Sequence, residues 1–249
     1  MDAERAAPTS TLLFRRSLTT LVASWDYLAS GSPGAAVHEV AGAAIAAFVR
    51  PPEREFLNNA VLAPGTVDPG AALAAIERTY GAAGIERYAI WVHETEAETV
   101  SELLARGYRF DTATRTMAMA ISELAALDTA GLELVATDLE EFWRLAGVDG
   151  MVPELPAEGA HFYVARHDGA SAATLMAFDH EGDCGIYMVG TLPAARRRGI
   201  ATALSALAVA AAHERGCITA SLQATAMAEG VYSRVGFRDL GRFEEYVPG

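Results

Sequence analysis

An α/β fold built as two similar halves is predicted for this 249-residue chain by three observations. Short apolar runs of strand length alternate with longer stretches whose apolar residues recur at helical spacing. Apolar residues make up 51% of the chain, enough to fill the cores of two ordinary domains. And Ala105-Arg-Gly107-Tyr-Arg109 is echoed 129 positions later by Arg234-Val-Gly236-Phe-Arg238. A strand and a helix precede each copy, and a strand with an arginine follows. A repeat of that length means duplicated domains. The pattern restarts around Ala125–Gly131, which divides the chain into residues 1–125 and 126–249. Two unrelated α/β segments remain the alternative, because the strand–helix–Gly–aromatic pattern is common.

In order, residues 1–9 carry no element. Ser10 to about Ser30 reads as one helix with Leu12, Leu13, Leu18, Leu21, Val22, Trp25 and Leu28 as its apolar stripe, stopped by Gly31-Ser-Pro-Gly34. Ala36–Val40 and Ala43–Val49 form a hairpin through Ala41-Gly42, and Pro51-Pro52 separates it from a strand over Glu55–Leu62. A helix from Pro69 to Tyr80, ending at Gly81, precedes strand Tyr88–His93, helix Glu96–Arg106 and a strand over Thr114–Ile121. In the second half, strand Leu132–Thr137 leads to Asp138, an N-cap for helix Leu139–Ala146. The stretch 149–159, with Pro153 and Pro156, is irregular and suits a substrate-side loop. Strands His161–Arg166, Ala172–Phe178 and Gly185–Thr191 follow, parted by His167-Asp-Gly169 and Glu181-Gly-Asp183. A long helix runs to about Arg215 with Gly216 as its stop. Strand Cys217–Gln223, helix Met227–Val235 and strand Arg238–Val247 close the chain.

The formal net charge of −13 argues against nucleic acid or an anionic membrane as the main partner. Cys184 and Cys217 make neither a metal-type spacing nor a disulfide framework. The start Met1-Asp-Ala-Glu-Arg5 lacks the features of a signal peptide, and the apolar stretches are too short to span a bilayer. The expectation is a cytoplasmic protein without a metal site.

The most informative stretch runs Val189-Gly-Thr-Leu-Pro-Ala-Ala-Arg-Arg-Arg-Gly-Ile-Ala-Thr-Ala-Leu204. A buried strand stops at Gly190, and Pro193 opens a turn holding Arg196, Arg197, Arg198 and Gly199. Ile200, Ala203, Leu204, Leu207, Ala208 and Ala211 then recur at helical spacing. The first amides of a helix have no internal partner, and its macrodipole is positive there, so this turn is an anion site suited to a phosphate or pyrophosphate. The alternative is a strand–helix connection whose arginines are merely solvated.

Arg196-x-x-Gly199-x-Ala201 after Val189-x-Thr191 resembles motif A of the GNAT acetyltransferases, the acyl-CoA-dependent N-acetyltransferase superfamily. The string Gln223-Ala-Thr-Ala-Met-Ala-Glu-Gly-Val-Tyr-Ser-Arg-Val-Gly-Phe237 resembles its motif B. The motif resemblance covers residues 185–237 and implies two GNAT-like halves, each a mixed, mostly antiparallel sheet flanked by helices. It implies acetyl-CoA as co-substrate and no metal. Backbone around Met188, Val189 and Thr191 would pair with the pantetheine, and Thr225 stands where many relatives place a pantetheine-contacting Asn. The turn Arg196–Thr202, with Ile200, Ala201 and Thr202 opening the helix, would hold the pyrophosphate. Tyr232, four residues before Gly236-Phe237, matches the tyrosine that protonates the departing thiolate. A positioned proton donor is worth roughly 10²–10⁴-fold in rate; the alternative is a tyrosine that only packs the helix onto the sheet.

The acceptor amine must lose a proton. Some relatives carry Glu at the position of Gly185, so that carboxylate is absent here. Asp183, two residues earlier on the same strand face, is the substitute candidate, acting directly or through a water; it also reads as a turn residue. Glu229 and His180 are weaker candidates. With no nucleophile constellation around Cys184, direct transfer to the amine is favoured over an acyl-enzyme. In the first half the turn Ala63-Pro-Gly-Thr-Val-Asp-Pro69-Gly has no arginine and an acidic Asp68, and Leu103 stands where Tyr232 stands in the second, which marks a degenerate copy. The main alternative is a protein that binds acyl-CoA without turning it over, as a sensor or an assembly subunit. A nucleic-acid contact at Arg196–Arg198 is disfavoured by the net charge and the lack of interleaved aromatics. Small amines, amino acids, antibiotics and protein N-termini all stay open as acceptors.

Overall fold

The computed structural model describes residues 8–49, 57–129, 131–148, 154–156 and 158–249. Pro51-Pro52, the start of the strand expected over Glu55–Leu62, and most of the loop 149–159 lie outside the described residues. The chain resolves into two compact units that exchange segments. One, the N unit, comprises Val22–Arg115, Met151–Pro156 and Gly241–Gly249; the other, the C unit, comprises Met1–Leu21, Thr116–Gly150 and Ala157–Leu240.

In the N unit, helix α1 (Ser10–Ser30) supplies its residues from Val22 onward. The hairpin β1 (Ala36–Val40) and β2 (Ala43–Ala47) turns at Ala41-Gly42, both at positive φ as a tight two-residue turn requires. Strand β3 (Asn59–Leu62), helix α2 (Pro69–Ala83) and strand β4 (Ala89–His93) form a parallel crossover. After helix α3 (Ala97–Ala105) comes strand β5 (Tyr108–Ala120), which belongs to this unit through Arg115. The end of the last strand, β11 (Arg238–Pro248), lies antiparallel to β4, giving the order β1-β2-β3-β4-β11-β5. Leu73, Ile76 and Tyr80 of α2 bury one face of this sheet, with Ile45, Ala60, Leu62 and Ile90 beneath them. Tyr80 stacks on Tyr88 at 4.1 Å, and the Tyr88 and Tyr108 hydroxyls meet at 2.6 Å.

Helix α2 outruns the expected stop. Gly81 is tolerated inside it, and the stop is Gly84, whose φ of +67° lets its amide reach the Gly81 carbonyl. Strand β5 likewise starts earlier than expected, at Tyr108.

In the C unit, strand β6 (Leu132–Ala136) leads into helix α4 (Leu139–Ala146), capped by Asp138, whose carboxylate accepts from the Glu141 amide at 2.8 Å. Strands β7 (Ala160–His167), β8 (Ala170–His180) and β9 (Asp183–Thr191) form an antiparallel meander. Helix α5 (Ile200–Glu214) crosses to strand β10 (Thr219–Thr225), which is parallel to β9. Helix α6 (Glu229–Val235) then leads to β11. The sheet order is β5-β10-β9-β8-β7-β6. Its core lies between α5 and the sheet: Leu204, Ala208 and Val209 pack on Cys184, Ile186, Ala220, Leu222 and Ala224. Alternation along the strands therefore turns Asp183, Gly185, Ser221 and Gln223 to the opposite face, where Arg16 and Ser17 of α1 bond to Thr219 and Gln223.

Candidate active site

Strands β9 and β10 run parallel but are registered at only three pairs, Thr219↔Asp183, Ala220↔Cys184 and Ser221↔Gly185. Beyond them the strands part. The cause is visible on the other side of β9. Thr174 of β8 faces Gly190 and Met176 faces Tyr187, so Leu175 alone opposes both Met188 and Val189. This is a β-bulge, which bends the strand that carries it. Met188 sits at φ +52°, a left-handed conformation costing on the order of 1–3 kcal/mol in a residue with a side chain. The Thr174 hydroxyl donates to the Met188 carbonyl at 3.3 Å and secures the bend. The result is a fork whose inner backbone, near Met188, Val189 and Thr191, is not paired with β10.

After Thr191, Pro193–Ala195 makes one 3₁₀ turn. The Arg196 guanidinium folds back, its Nε donating to the Thr191 carbonyl at 3.1 Å. Arg197 is at φ +63° and Gly199 at φ +78°, with Gly199 as N-cap of α5. Arg196, Arg197, Arg198 and Gly199 are all exposed. Among the described residues no side chain caps α5, and no acid stands in its first turn. The leading amides of Ile200, Ala201 and Thr202 are thus left for an anion. A Cβ placed on Gly199 would meet nothing within 4 Å, so open space lies in front of the turn. A pyrophosphate-bearing ligand fits this geometry. The corresponding turn of the N unit is closed, because Asp68 caps α2 with its own carboxylate, accepting from the Ala71 amide at 2.9 Å.

Tyr232 lies on α6, 7% exposed, its ring edge-on to Phe237 at 6.0 Å. Its hydroxyl makes no hydrogen bond among the described residues. Burial alone pushes the phenol up to about 12. Thr225, at the end of β10, is exposed.

Asp183 is buried at the start of its strand. It begins β9 at the paired end of the fork instead of sitting in the preceding turn. It is 1% exposed, and its Oδ2 accepts from the Ser221 hydroxyl at 2.6 Å. Six residues of extended chain, about 20 Å, separate it from Val189. The other Asp183 oxygen, Oδ1, is buried without a hydrogen-bond partner among the described residues. Glu229 opens α6 as its first-turn acid, and His180 stacks on Phe178.

Two features escaped the sequence. Space above Gly185 is filled by Tyr187, whose ring and hydroxyl would collide with any Cβ there. The signal was the Gly-x-Tyr spacing, which puts both residues on one strand face. Arg215 at the end of α5 binds Asp179 of β8 through both Nε (2.5 Å) and Nη2 (2.9 Å) and reaches the Tyr163 hydroxyl at 3.1 Å. His161 of β7 joins the same group, 3.3 Å from Asp179. Burial pushes the Asp179 carboxyl up, but the hydrogen bonds and charge of Arg215 outweigh it and hold the group below its usual value. This clamp fixes the far end of the helix whose near end carries the anion turn.

Residues 158–239 match the Acetyltransferase (GNAT) domain family. No curated protein matches the sequence. Among solved structures the chain is similar to a GCN5-related N-acetyltransferase from Kribbella flavida, at 19% identity over 94% of this chain and 95% of that one, with TM-score 0.69. It is similar to a GCN5-related N-acetyltransferase from Sphaerobacter thermophilus (16% identity, 82% and 76% covered, TM-score 0.57). A tandem GNAT protein from the clavulanic acid biosynthesis pathway matches over 96% of both chains at 14% identity, TM-score 0.57. At these identities the likeness is one of fold. The forked strands, the basic turn and the tyrosine helix all fall inside the segment that matches the family, and the chain shares its fold with solved GNAT N-acetyltransferases along nearly its whole length.

Proposed function

We propose that the chain moves an acetyl group from acetyl-CoA directly to an amine, using one site in the C unit. The observation that carries this is the fork: a parallel strand pair opened by the Met188–Val189 bulge and leading into an uncapped helix N-terminus behind three arginines. Backbone of Met188, Val189 and Thr191 on the side not paired with β10 hydrogen-bonds the pantetheine arm like an added strand. The amides of Gly199, Ile200, Ala201 and Thr202 hold the pyrophosphate, and Arg197 and Arg198 add charge; Arg196 braces the turn. Thr225 contacts the arm from β10.

Attack by the amine nitrogen forms the C–N bond as the C–S bond breaks, and the amine proton leaves to solvent. Tyr232 donates toward the departing sulfur. A thiol of ordinary pKa, about 8.5, is a stronger acid than a phenol raised to about 12. Full transfer from Tyr232 is therefore uphill, and its contribution is chiefly a hydrogen bond that strengthens as charge builds on sulfur. The N unit, its α2 terminus occupied by Asp68, serves as a structural copy.

The test is Tyr232→Phe, assayed by CoA-thiol release over a panel of amines. The chain contains no lysine, so side-chain ε-amines give no background. CoA affinity should stay within about twofold while kcat falls roughly 10–10³-fold. An unchanged kcat, with chemistry rate-limiting, would reduce Tyr232 to packing. Tight CoA binding without turnover on any amine would favour the sensor.

A further inference from the structure

The sheet of the N unit ends at β1, and that edge is unguarded. β1 pairs with β2 through five consecutive residues without a bulge, and it carries neither proline nor lysine, two common means of blunting an edge. In a hairpin closed by two residues the pair beside the turn, Val40↔Ala43, exchanges both hydrogen bonds, and so do the alternate pairs His38↔Ile45 and Ala36↔Ala47. The backbone N–H and C=O of Val37 and Glu39 therefore point outward, and among the described residues they bond to no other segment. A groove of about 480 Å³ runs beside this edge. His38 and Val40 of β1 form one wall; Ala75, Arg78, Ala82 and Ala83 of α2 form the other. The three alanines leave room for side chains from a further strand, and Val40 is 42% exposed. Arg78 is exposed too, and no hydrogen bond or ion pair engages it among the described residues. The acid next to it, Glu77, is held by Arg106 at 3.0 Å and does not neutralise it.

We propose that this edge takes an extended, acidic segment of another protein as an added antiparallel strand, with a carboxylate of the segment on Arg78 and an apolar side chain over Val40. Backbone bonds to Val37 and Glu39 hold the segment, and the alternate side chains that enter the groove select it. A second copy of this chain fits less well. Two copies of β1 joined antiparallel across a twofold axis keep both α2 helices on one face of the sheet. The incoming strand then turns Ala36, His38 and Val40 toward the groove, with no acid among them, and brings a second Arg78 to the same face. Charge complementarity favours the foreign strand. The site stands apart from the transferase reading, since it uses the N unit alone.

The probe is a fluorescein-labelled peptide, Ser-Val-Thr-Glu-Thr-amide, whose Val and Glu share one face when extended. In fluorescence anisotropy it should bind the wild-type chain saturably. Its counterpart Ser-Val-Thr-Lys-Thr-amide should bind about 3–30-fold more weakly, because attraction to an exposed Arg78 becomes repulsion. Arg78→Glu should invert that order. Glu39→Pro removes an outward N–H that β2 does not use, so the hairpin is kept while affinity for the glutamate peptide falls about 3–10-fold. Glu39→Thr keeps the N–H and removes only a charge, so it should bind at least as well as the wild type. Absence of saturable binding to the wild type at millimolar peptide would overturn the proposal. Equal binding of the two peptides, or an unchanged affinity in Glu39→Pro, would overturn it too. Sedimentation of the unliganded chain tests the other occupant: a dimer that Glu39→Pro dissolves gives the edge to a second copy and overturns the foreign strand. The comparison of the two peptides on the wild type stands even where a variant does not fold.

Discussion

Burial decides what a titratable side chain in this protein can do. Asp183 and Tyr232 are both nearly inaccessible; Ser221 engages one oxygen of Asp183 and leaves the other without a partner, and the Tyr232 hydroxyl bonds to nothing among the described residues. Glu245 of β11 shows the same physics in the N unit. It faces Trp91 across the β4–β11 ladder, and burial pushes its carboxyl up to about 7, with Thr114 opposing and Asp111 reinforcing the shift. A folded pKa above the unfolded value means that the folded state holds a proton the unfolded state has lost. The stabilisation is complete below about 4.5 and is lost as pH rises to about 7. Glu245→Gln keeps the neutral amide at every pH. The urea midpoint of the wild type should fall relative to that of Glu245→Gln between pH 5 and pH 8. A constant difference between the two would place this carboxylate in water.

At the scale of elements, two strand–helix–strand crossovers of the same plan differ in one terminus. Helix α2 begins with Asp68 and Pro69, a self-capped end worth about 1 kcal/mol to the helix. Helix α5 begins with Gly199 in the left-handed conformation and no side-chain cap. Its open end leaves its leading amides for the pyrophosphate proposed above. Replacing Gly199 by Glu adds strain of roughly 1–2 kcal/mol at positive φ and sets a negative charge before the turn. Nothing within 4 Å obstructs a Cβ there, so the fold should survive. At a separation near 4 Å, repulsion of about 1–4 kcal/mol implies a CoA affinity lower by roughly 5–10³-fold in calorimetry. Gly199→Asn, which tolerates the same φ without charge, controls for strain. Equal affinities in wild type and the glutamate variant would remove the pyrophosphate from this turn.

At the scale of the whole molecule, each unit contains a parallel crossover, but among the described residues only the C unit joins an open helix end to a bulged strand. One CoA per chain should bind, and calorimetric stoichiometry measures it. A value of two would show that the Asp68 cap yields to the ligand and that the first half is no mere structural copy.

The sequence by itself determined the order and type of nearly every described element, from Ser10–Ser30 to the Asp138 cap and the last strand. Those depend on period and punctuation, which are local. It also located the basic turn and Tyr232, because their chemistry is carried by residues close together in the chain. Where α2 stops was legible only in part, since a glycine inside a helix and a glycine ending one look alike without φ. The tertiary structure alone decided that the units exchange segments of α1, β5 and β11, that Met188 and Val189 bulge against Leu175, and that Asp183 is enclosed. It alone brought Gln223 to Ser17, 206 residues apart. Each of these depends on which strand lies beside which, and pairing between distant segments is set by the packing of the whole core, which no local pattern encodes.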